Sequence, residues 1–341
     1  MPETVQNSVS SVFLKGMTDE QIREKIDARR GDLLARAIKR MPGVKPHEDG
    51  FGNVAEALEA GRLNFTVKTE KIKGEHSGID CPNHVRQYRD DTLGTLGVTG
   101  KTYGVLQYPD AFESLDILVR RGDAAIVNVQ SIDDGARARV VALIGVSEFG
   151  SQNGAPNTLG HFAIFEASHD MSISVVATLY TMRLECFNGM TSREQTGIWK
   201  QKHTKRSGDR LEKLTREVLS HLIGQAEAES EMFANLARKS MNQHEFADFA
   251  VELLGGPLEE DASKSKVTRR ENDLEELFGY FVGGNQGAGA TAWGAYNSVT
   301  RWIEAKREGI EDAARNARKF SSNLQGSGQR KVAQALRLLT R

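Results

Sequence analysis

The chain has 341 residues, of which 39% are hydrophobic, and a formal net charge of -1. This composition can fill a core and so excludes a chain that is disordered throughout. The two cysteines, Cys81 and Cys186, lie more than a hundred positions apart and outside any CxxC pair. Their spacing excludes a disulfide framework and a closed zinc site, and it fits a reducing compartment. With no basic N-terminal region before an apolar run, and no apolar segment of about 18 residues, the sequence predicts neither export nor a membrane span.

The N-terminal region is predicted to combine short helices with irregular chain. Residues 18–21 match a capping box that begins a short helix, and Gly31-Asp32 is expected to interrupt it. Residues 33–38 resume a helical stripe of apolar side chains. The segment 43–90 is mixed and much of it is expected to be loop, with one alternating run at residues 63–67 that predicts a strand.

The signals for strands and turns become stronger after residue 93. A β-prone segment ends at residues 103–107, and Asp110 is then predicted to cap a helix that stops at Gly122. The sequence Asp133-Asp134-Gly135 favours a hairpin turn, because glycine tolerates a positive φ. The strands predicted from here on are residues 124–129, 137–146, 161–167 and 172–187, with a mobile loop at residues 149–160. Long strands joined by hairpins indicate an antiparallel sheet.

Beyond residue 189 the apolar period changes from that of a strand to that of a helix. One stripe runs from Leu211 to Leu236 and predicts a helix of about eight turns. A charged linker is expected at residues 257–270. The other predicted helical segments are residues 246–253, 274–281, 293–303 and 332–339.

These elements predict an α+β fold with a central antiparallel sheet, an N-terminal helical segment and a helical C-terminal half. The predicted division is an N-terminal helical or irregular segment at 1–60, an antiparallel sheet core at 61–200 and a helical region at 201–341. The last region is expected to pack on the core or to extend from it.

The glycine-rich run at residues 283–289 precedes a predicted helix and invites comparison with a phosphate-binding loop. A Walker loop would need a lysine where Ala290 stands, and a preceding strand instead of a helix. The amides at a helix start could still hold one phosphate of another kind. The alternative, a plain hinge between two helices, is the favoured interpretation.

Two groups of residues have the chemistry of a reactive site but not its spacing. Cys186, Asn188 and His203 are the residue types of a papain-like site, although their order along the chain is not diagnostic. Cys81 and His84, with His76 nearby, could supply metal ligands, but no fourth ligand is spaced to close the site. A buried cysteine at a strand end and a polar turn are the favoured interpretations, so we predict no metal and no catalytic residue.

The most informative charge pattern lies at the junction of the predicted sheet and helices. Basic residues between 193 and 210 surround one tryptophan there, and such a concentration of charge can bind a phosphate backbone while the indole stacks on an unpaired base. The alternative is a solvated basic connector before a long helix. The predicted nucleic-acid-binding residues are Arg183, Arg193, Trp199, Lys200, Lys202, His203, Lys205 and Arg206.

Several motifs, taken in order, resemble a phage/plasmid-like protein family of unknown function that is found in bacteriophages and mobile elements. The motifs are Leu93-Gly94-Thr95 with Tyr103 and Gln107, residues 112–118, Ser168-His169-Asp170, residues 183–188, His203-Thr204, residues 289–300 and Gly326-Ser327-Gly328. Together they span roughly residues 60–340, and their order makes the resemblance specific. The resemblance implies the context of a mobile genetic element, and it implies no activity.

The chain departs from the pattern of that family at two places. The family's helix usually continues with an acidic residue and a histidine, where this chain reads Trp302-Ile303-Glu304-Ala305-Lys306. The usual Cys-x-Asn-Thr reads Cys186-Phe187-Asn188-Gly189. Both changes argue against an indispensable metal or catalytic site at these positions.

The sequence thus leads to one main functional hypothesis. A phage or plasmid protein would bind single-stranded DNA and assist strand annealing in recombination or replication, as a homo-oligomer in the host cytoplasm, without a cofactor and without a membrane. One alternative is an enzyme acting on nucleic acid or nucleotides through His169, Asp170, His203 and Cys186. The other is a protein-interaction module such as a host-defence antagonist.

Overall fold

The computed structural model of the chain describes residues 9–14, 28–41, 43, 45, 51–150, 157–184, 188–190, 198–201, 208–283, 288–305 and 326–341. It confirms the α+β class, with antiparallel sheets and helices in the C-terminal half. The described helices are α1 (Ala28–Arg40), α2 (Val54–Ala60), α3 (Tyr108–Ala111), α4 (Glu113–Arg120), α5 (Gly208–Arg238), α6 (Gln243–Leu253), α7 (Lys264–Val282), α8 (Ala292–Ala305) and α9 (Ser327–Leu339). The described strands are β1 (Ser10–Phe13), β2 (Val67–Lys73), β3 (Asp80–Arg89), β4 (Thr95–Gly100), β5 (Ala125–Ile132), β6 (Arg137–Phe149), β7 (Asn157–Ser168), β8 (Val175–Arg183), β9 (Asn188–Met190) and β10 (Ile198–Gln201).

The larger sheet has seven strands in the described residues, all paired antiparallel. Its order is β1-β6-β7-β8-β10, with β5 also paired to β6 and β9 also paired to β8. The β5–β6 hairpin turns at Asp133, Asp134 and Gly135, whose φ angles are 50°, 55° and 87°. The hairpin predicted from the Asp-Gly sequence is therefore confirmed. The predicted loop at 149–160 is shorter, because Phe149 ends β6 and residue 157 begins β7.

Helices cover both faces of the larger sheet, so its central strands β7 and β8 are buried along their whole length instead of at alternate residues. Leu33 and Ala37 of α1 pack with Val141 on one face. Leu115 of α4 and Leu222 of α5 belong to the core on the opposite face.

The smaller sheet, with the order β2-β3-β4, places strands at residues 67–73 and 80–89, where the sequence predicts a strand only at residues 63–67 and otherwise much loop. Its first two strands are largely exposed and carry polar side chains on both faces, which removes the alternating apolar signal. The strand after residue 93 spans Thr95–Gly100, and residues 103–107 are not a strand. Residues 63–66 precede β2, although Leu63 and Phe65 are buried.

Two predictions about helix ends are wrong. α3 begins at Tyr108 with a proline in its first turn, so Asp110 lies inside the helix instead of capping it. Gly31-Asp32 lies within α1, because packing of the following apolar residues against the sheet outweighs the weak helix propensity of one glycine. The predicted stop at Gly122 is confirmed by its φ of 70°. The predicted capping box at residues 18–21 lies outside the described residues.

The C-terminal helices form a second core around α8. Most of α8 is buried, and Trp293 and Val299 pack with Phe233 of α5 and with residues of α6, α7 and α9. Ser263 caps α7, so the predicted linker at residues 257–270 ends at Lys264. The three-part domain division stays a prediction.

Candidate functional site

Only part of the predicted nucleic-acid interface lies within the described residues. Trp199 and Lys200 are in β10, an edge strand of the larger sheet, where they stand opposite Ala177 and Val176 of β8. Five further candidates lie outside the described residues, and these are Arg193, Lys202, His203, Lys205 and Arg206. The described backbone therefore pairs residues 198–201 of the basic segment with the sheet.

Arg183, at the end of β8, occupies a place in the core. Its side chain is 1% exposed, and its Nη1 donates to Asn297 Oδ1 at 3.4 Å. The guanidinium carbon lies 5.8 Å from the ring centroid of Trp293. A buried charge is tolerated only when surrounding groups compensate for lost hydration. Arg183 thus joins β8 to α8, and a phosphate contact through it would require this packing to open.

The start of α8 is held by hydrogen bonds within the chain. The amide of Ala292 donates to the carbonyl oxygen of Lys239 at 2.8 Å, and the amide of Gly294 donates to Thr291 Oγ1 at 3.0 Å. Trp293 Nε1 donates to Asn157 Oδ1 at 3.0 Å. These two amides at the helix start already have protein acceptors, so neither is free to hold a phosphate. Residues 284–287 of the glycine-rich run lie outside the described residues.

A buried polar layer, formed by Ser147, His161, Thr181, Glu229 and Ser230, lies between the larger sheet and α5. Ser147 Oγ is 2.8 Å from His161 Nε2, and His161 Nδ1 is 3.1 Å from Thr181 Oγ1. Thr181 Oγ1 donates to Glu229 Oε2 at 2.7 Å, so it accepts from Nδ1–H while Nε2 accepts from Ser147. Burial lowers the pKa of His161 to about 3.

The buried polar layer resembles a hydrolytic relay in residue type only. A serine and an imidazole are in contact, yet both Ser147 and His161 are buried, and a nucleophile must reach its substrate. We therefore assign the layer to packing, where each polar group satisfies the next. No sequence signal pointed to it, because its partners on α5 are far along the chain from Ser147 and His161 in the sheet.

A second polar cluster, which we call the junction, lies where the smaller sheet meets the larger one. It contains Gly97, Tyr108, Arg137, His169 and Asp170. A Cβ at Gly97 would lie 2.9 Å from Asp170 Cα and 3.0 Å from the carbonyl oxygen of His169, so β4 touches the backbone of the β7–β8 turn. The ring of His169 packs on Tyr108 with 4.4 Å between centroids.

The charges at the junction are paired with each other and partly face solvent. Arg137 contacts the carboxylate of Asp133, and its Nε lies 3.8 Å from Asp170 Oδ2, with side-chain exposures of 23% and 27% for Arg137 and Asp170. Burial raises the pKa of Tyr103, and the negative charge of Asp170 raises it further. Because carboxylates already neutralise the guanidinium, the junction is a poor site for a phosphate group.

The residues of the enzyme hypothesis are not brought together in the described part of the chain. His169 and Asp170 share the junction, but His169 is buried against Tyr108. Cys186 and His203 lie outside the described residues. The position of His169 gives its ring a packing role.

The possible metal ligands at the tip of the smaller sheet form only a pair. Cys81 Sγ lies 3.7 Å from His84 Nδ1. Within the described residues, no group of three histidine, cysteine, aspartate or glutamate side chains could hold a metal ion.

Residues 95–335 match the model of a protein family described as Domain of unknown function (DUF932), a region that covers more than half of the sequence. The chain belongs to the DUF932 family. Neither a curated protein nor a solved structure matches it. The DUF932 region begins at β4 and ends within α9, so it contains the larger sheet from β5 onward, the junction and the C-terminal core. Within the described residues, no helix is both long and apolar enough to cross a bilayer.

Proposed function

We propose that this DUF932 protein binds single-stranded DNA and promotes strand annealing during the recombination or replication of a phage or plasmid, in the cytoplasm of the host cell. The observation that carries the proposal is the pairing of β10 with β8, which attaches Trp199 and Lys200 to the edge of the larger sheet. The surrounding segment 193–210 contains six lysine or arginine residues and two acidic ones. Proteins that bind single-stranded nucleic acid combine positive charge with aromatic side chains, and this segment contains both.

A tryptophan in the binding segment favours single strands over duplexes. Bases of a single strand are free to stack on an aromatic side chain, whereas paired bases in a duplex have their faces covered. β8 is buried along its whole length, so β10 is attached to a strand that moves little. A rigid support lowers the entropy cost of ordering a binding segment.

Assembly into a homo-oligomer is part of the proposal. The chain has a net charge of -1, so one copy attracts a polyanion only through its local basic segment. Several copies side by side would join these segments into one track, and each occupied site would raise the effective concentration of the strand at the next. Annealing requires such a track, because a bound strand must be held extended with its base edges accessible.

The proposal is tested by measuring the affinity of the full chain for single-stranded DNA, duplex DNA and RNA across a salt series, with mass measurement of the complex. We expect the tightest binding to single-stranded DNA, with an affinity that falls as salt rises. Trp199→Ala should weaken binding by about 5- to 150-fold, since stacking on an aromatic side chain contributes about 1–3 kcal/mol per base. Trp199→Phe, which keeps an aromatic face, should restore most of the affinity.

Two outcomes would contradict the proposal. One is a wild-type protein that binds no oligonucleotide even at low salt. The other is an equal affinity of wild type and Trp199→Ala for single-stranded DNA.

A further inference from the structure

Helix α1 divides its apolar and basic residues between two faces. Leu33 and Ala37 are buried against the larger sheet, with Leu34 and Ile38 packed beside them. The opposite face is exposed at Arg36 and other positions. The apolar side is therefore already used by the fold, and the polar side is available to a partner.

Most of the charged residues of α1 are positive. Its 13 residues include five arginines or lysines and one aspartate. Both Arg36 and Lys39 are exposed, and within the described part of the chain neither has a carboxylate within 4.0 Å. Arg36 Nε donates to the backbone carbonyl of Asp32 at 3.3 Å.

The β2–β3 hairpin shows the opposite arrangement. The three lysines of β2 are also exposed, but each lies within 4.0 Å of a carboxylate, in the pairs Lys68–Asp90, Lys71–Asp80 and Lys73–Asp80. Paired charges largely cancel at the distance of an approaching polyanion, whereas the charges of Arg36 and Lys39, which have no carboxylate partner among the described residues, add up. Of the two exposed basic surfaces, α1 is the one suited to bind phosphates.

The packing of α1 also decides between two kinds of anionic partner. A helix that binds a membrane surface inserts its apolar face into the lipid, but the apolar face of α1 is covered by the sheet. A phosphate backbone needs only the basic face. We propose that α1 is a second phosphate-binding surface for the single strand, separate from the β10 segment. This inference rests on the proposed function.

The test compares two double variants of the full chain that remove the same charge. Arg36→Gln with Lys39→Gln removes two unpaired cations, and Lys71→Gln with Lys73→Gln removes two that are paired with Asp80. The first variant should weaken binding to a thymidine oligonucleotide by roughly tenfold. It should also reduce the slope of log affinity against log salt by about 1.4, at about 0.7 for each lost phosphate contact on a single strand. The second should change neither quantity by more than about twofold. All four positions are exposed, so the melting temperatures should stay the same.

The outcomes separate this inference from the proposed function. If wild type binds the oligonucleotide and the α1 variant binds equally well with the same salt slope, the inference is wrong and the proposed function stands. If both double variants lose the same affinity, only net charge matters and the inference is also wrong. If wild type binds vesicles of anionic phospholipid but no oligonucleotide, both proposals are wrong.

Discussion

Two regions of the DUF932 domain are rich in polar side chains, yet they differ in what surrounds those side chains. In the buried polar layer and the neighbouring α8, hydroxyl, imidazole and amide groups are removed from water and bond one another. At the junction, Arg137 and Asp170 are partly exposed, so water still solvates their charged groups. In the first region a side chain of different charge or volume destabilises the fold, because the close-packed core has neither water nor space to accommodate it. At the junction, water and the movement of exposed side chains can accommodate such a change.

The largest expected difference between the regions is in their response to pH. Burial holds the pKa of His161 at about 3, below the value of about 6.5 in an unfolded chain. As pH falls below about 6.5, the unfolded chain binds a proton at this residue that the folded chain does not bind. Stability is therefore full above pH 6.5 and decreases toward pH 3, by about 1.4 kcal/mol per pH unit. Urea unfolding at pH 7.5, 6 and 5 would measure this slope.

Two substitutions assign the pH response to its residue. His161→Gln should remove this part of the slope, whereas His76→Gln, which changes an exposed position, should leave it unchanged. A slope that persists in full in the His161 variant would show that another group causes it.

Close packing at α8 predicts the next largest effect. A Cβ at Gly294 would overlap the carbonyl oxygen of Gly289, so Gly294→Ala should destabilise the fold by about 1–3 kcal/mol. The matched control is Gly279→Ala in α7, where no atom lies within 4 Å of the added Cβ. That change should stabilise the fold by about 0.5–1 kcal/mol, because alanine is the better helix former. Thermal unfolding that shows the same sign for both variants would contradict the packing of α8.

The smallest effect is expected at the junction. Gly97→Ala places a Cβ 2.9 Å from the Cα of Asp170, but the two sheets can move apart slightly at this partly exposed contact. We expect a loss of about 1 kcal/mol, together with faster hydrogen exchange of the β4 amides. Gly100→Ala in the same strand, where nothing lies within 4 Å, should leave both measurements unchanged. Equal hydrogen-exchange rates of the β4 amides in the two variants would contradict the contact between β4 and the β7–β8 turn.

Elements with a strong local pattern were predicted well. The stripe of α5 and the hairpin at Asp133-Asp134-Gly135 depend on residues close together in the chain, and both are present. The strands β2 and β3 were missed because their exposed polar side chains hide the period of a strand. Their stability comes from pairing with each other and from contact with the larger sheet, which no local pattern records.

For the candidate site, the sequence by itself determined the class of fold, the order of the long strands and helices, and the basic segment around Trp199. Only the tertiary structure decided that Arg183 is buried beside Trp293 and that Ser147 and His161 meet Glu229. It also decided that α1 exposes its basic face. The reason is physical: backbone periodicity is set by neighbours in the chain, whereas burial and pairing are set by residues that come close only when the sheet and helices pack together.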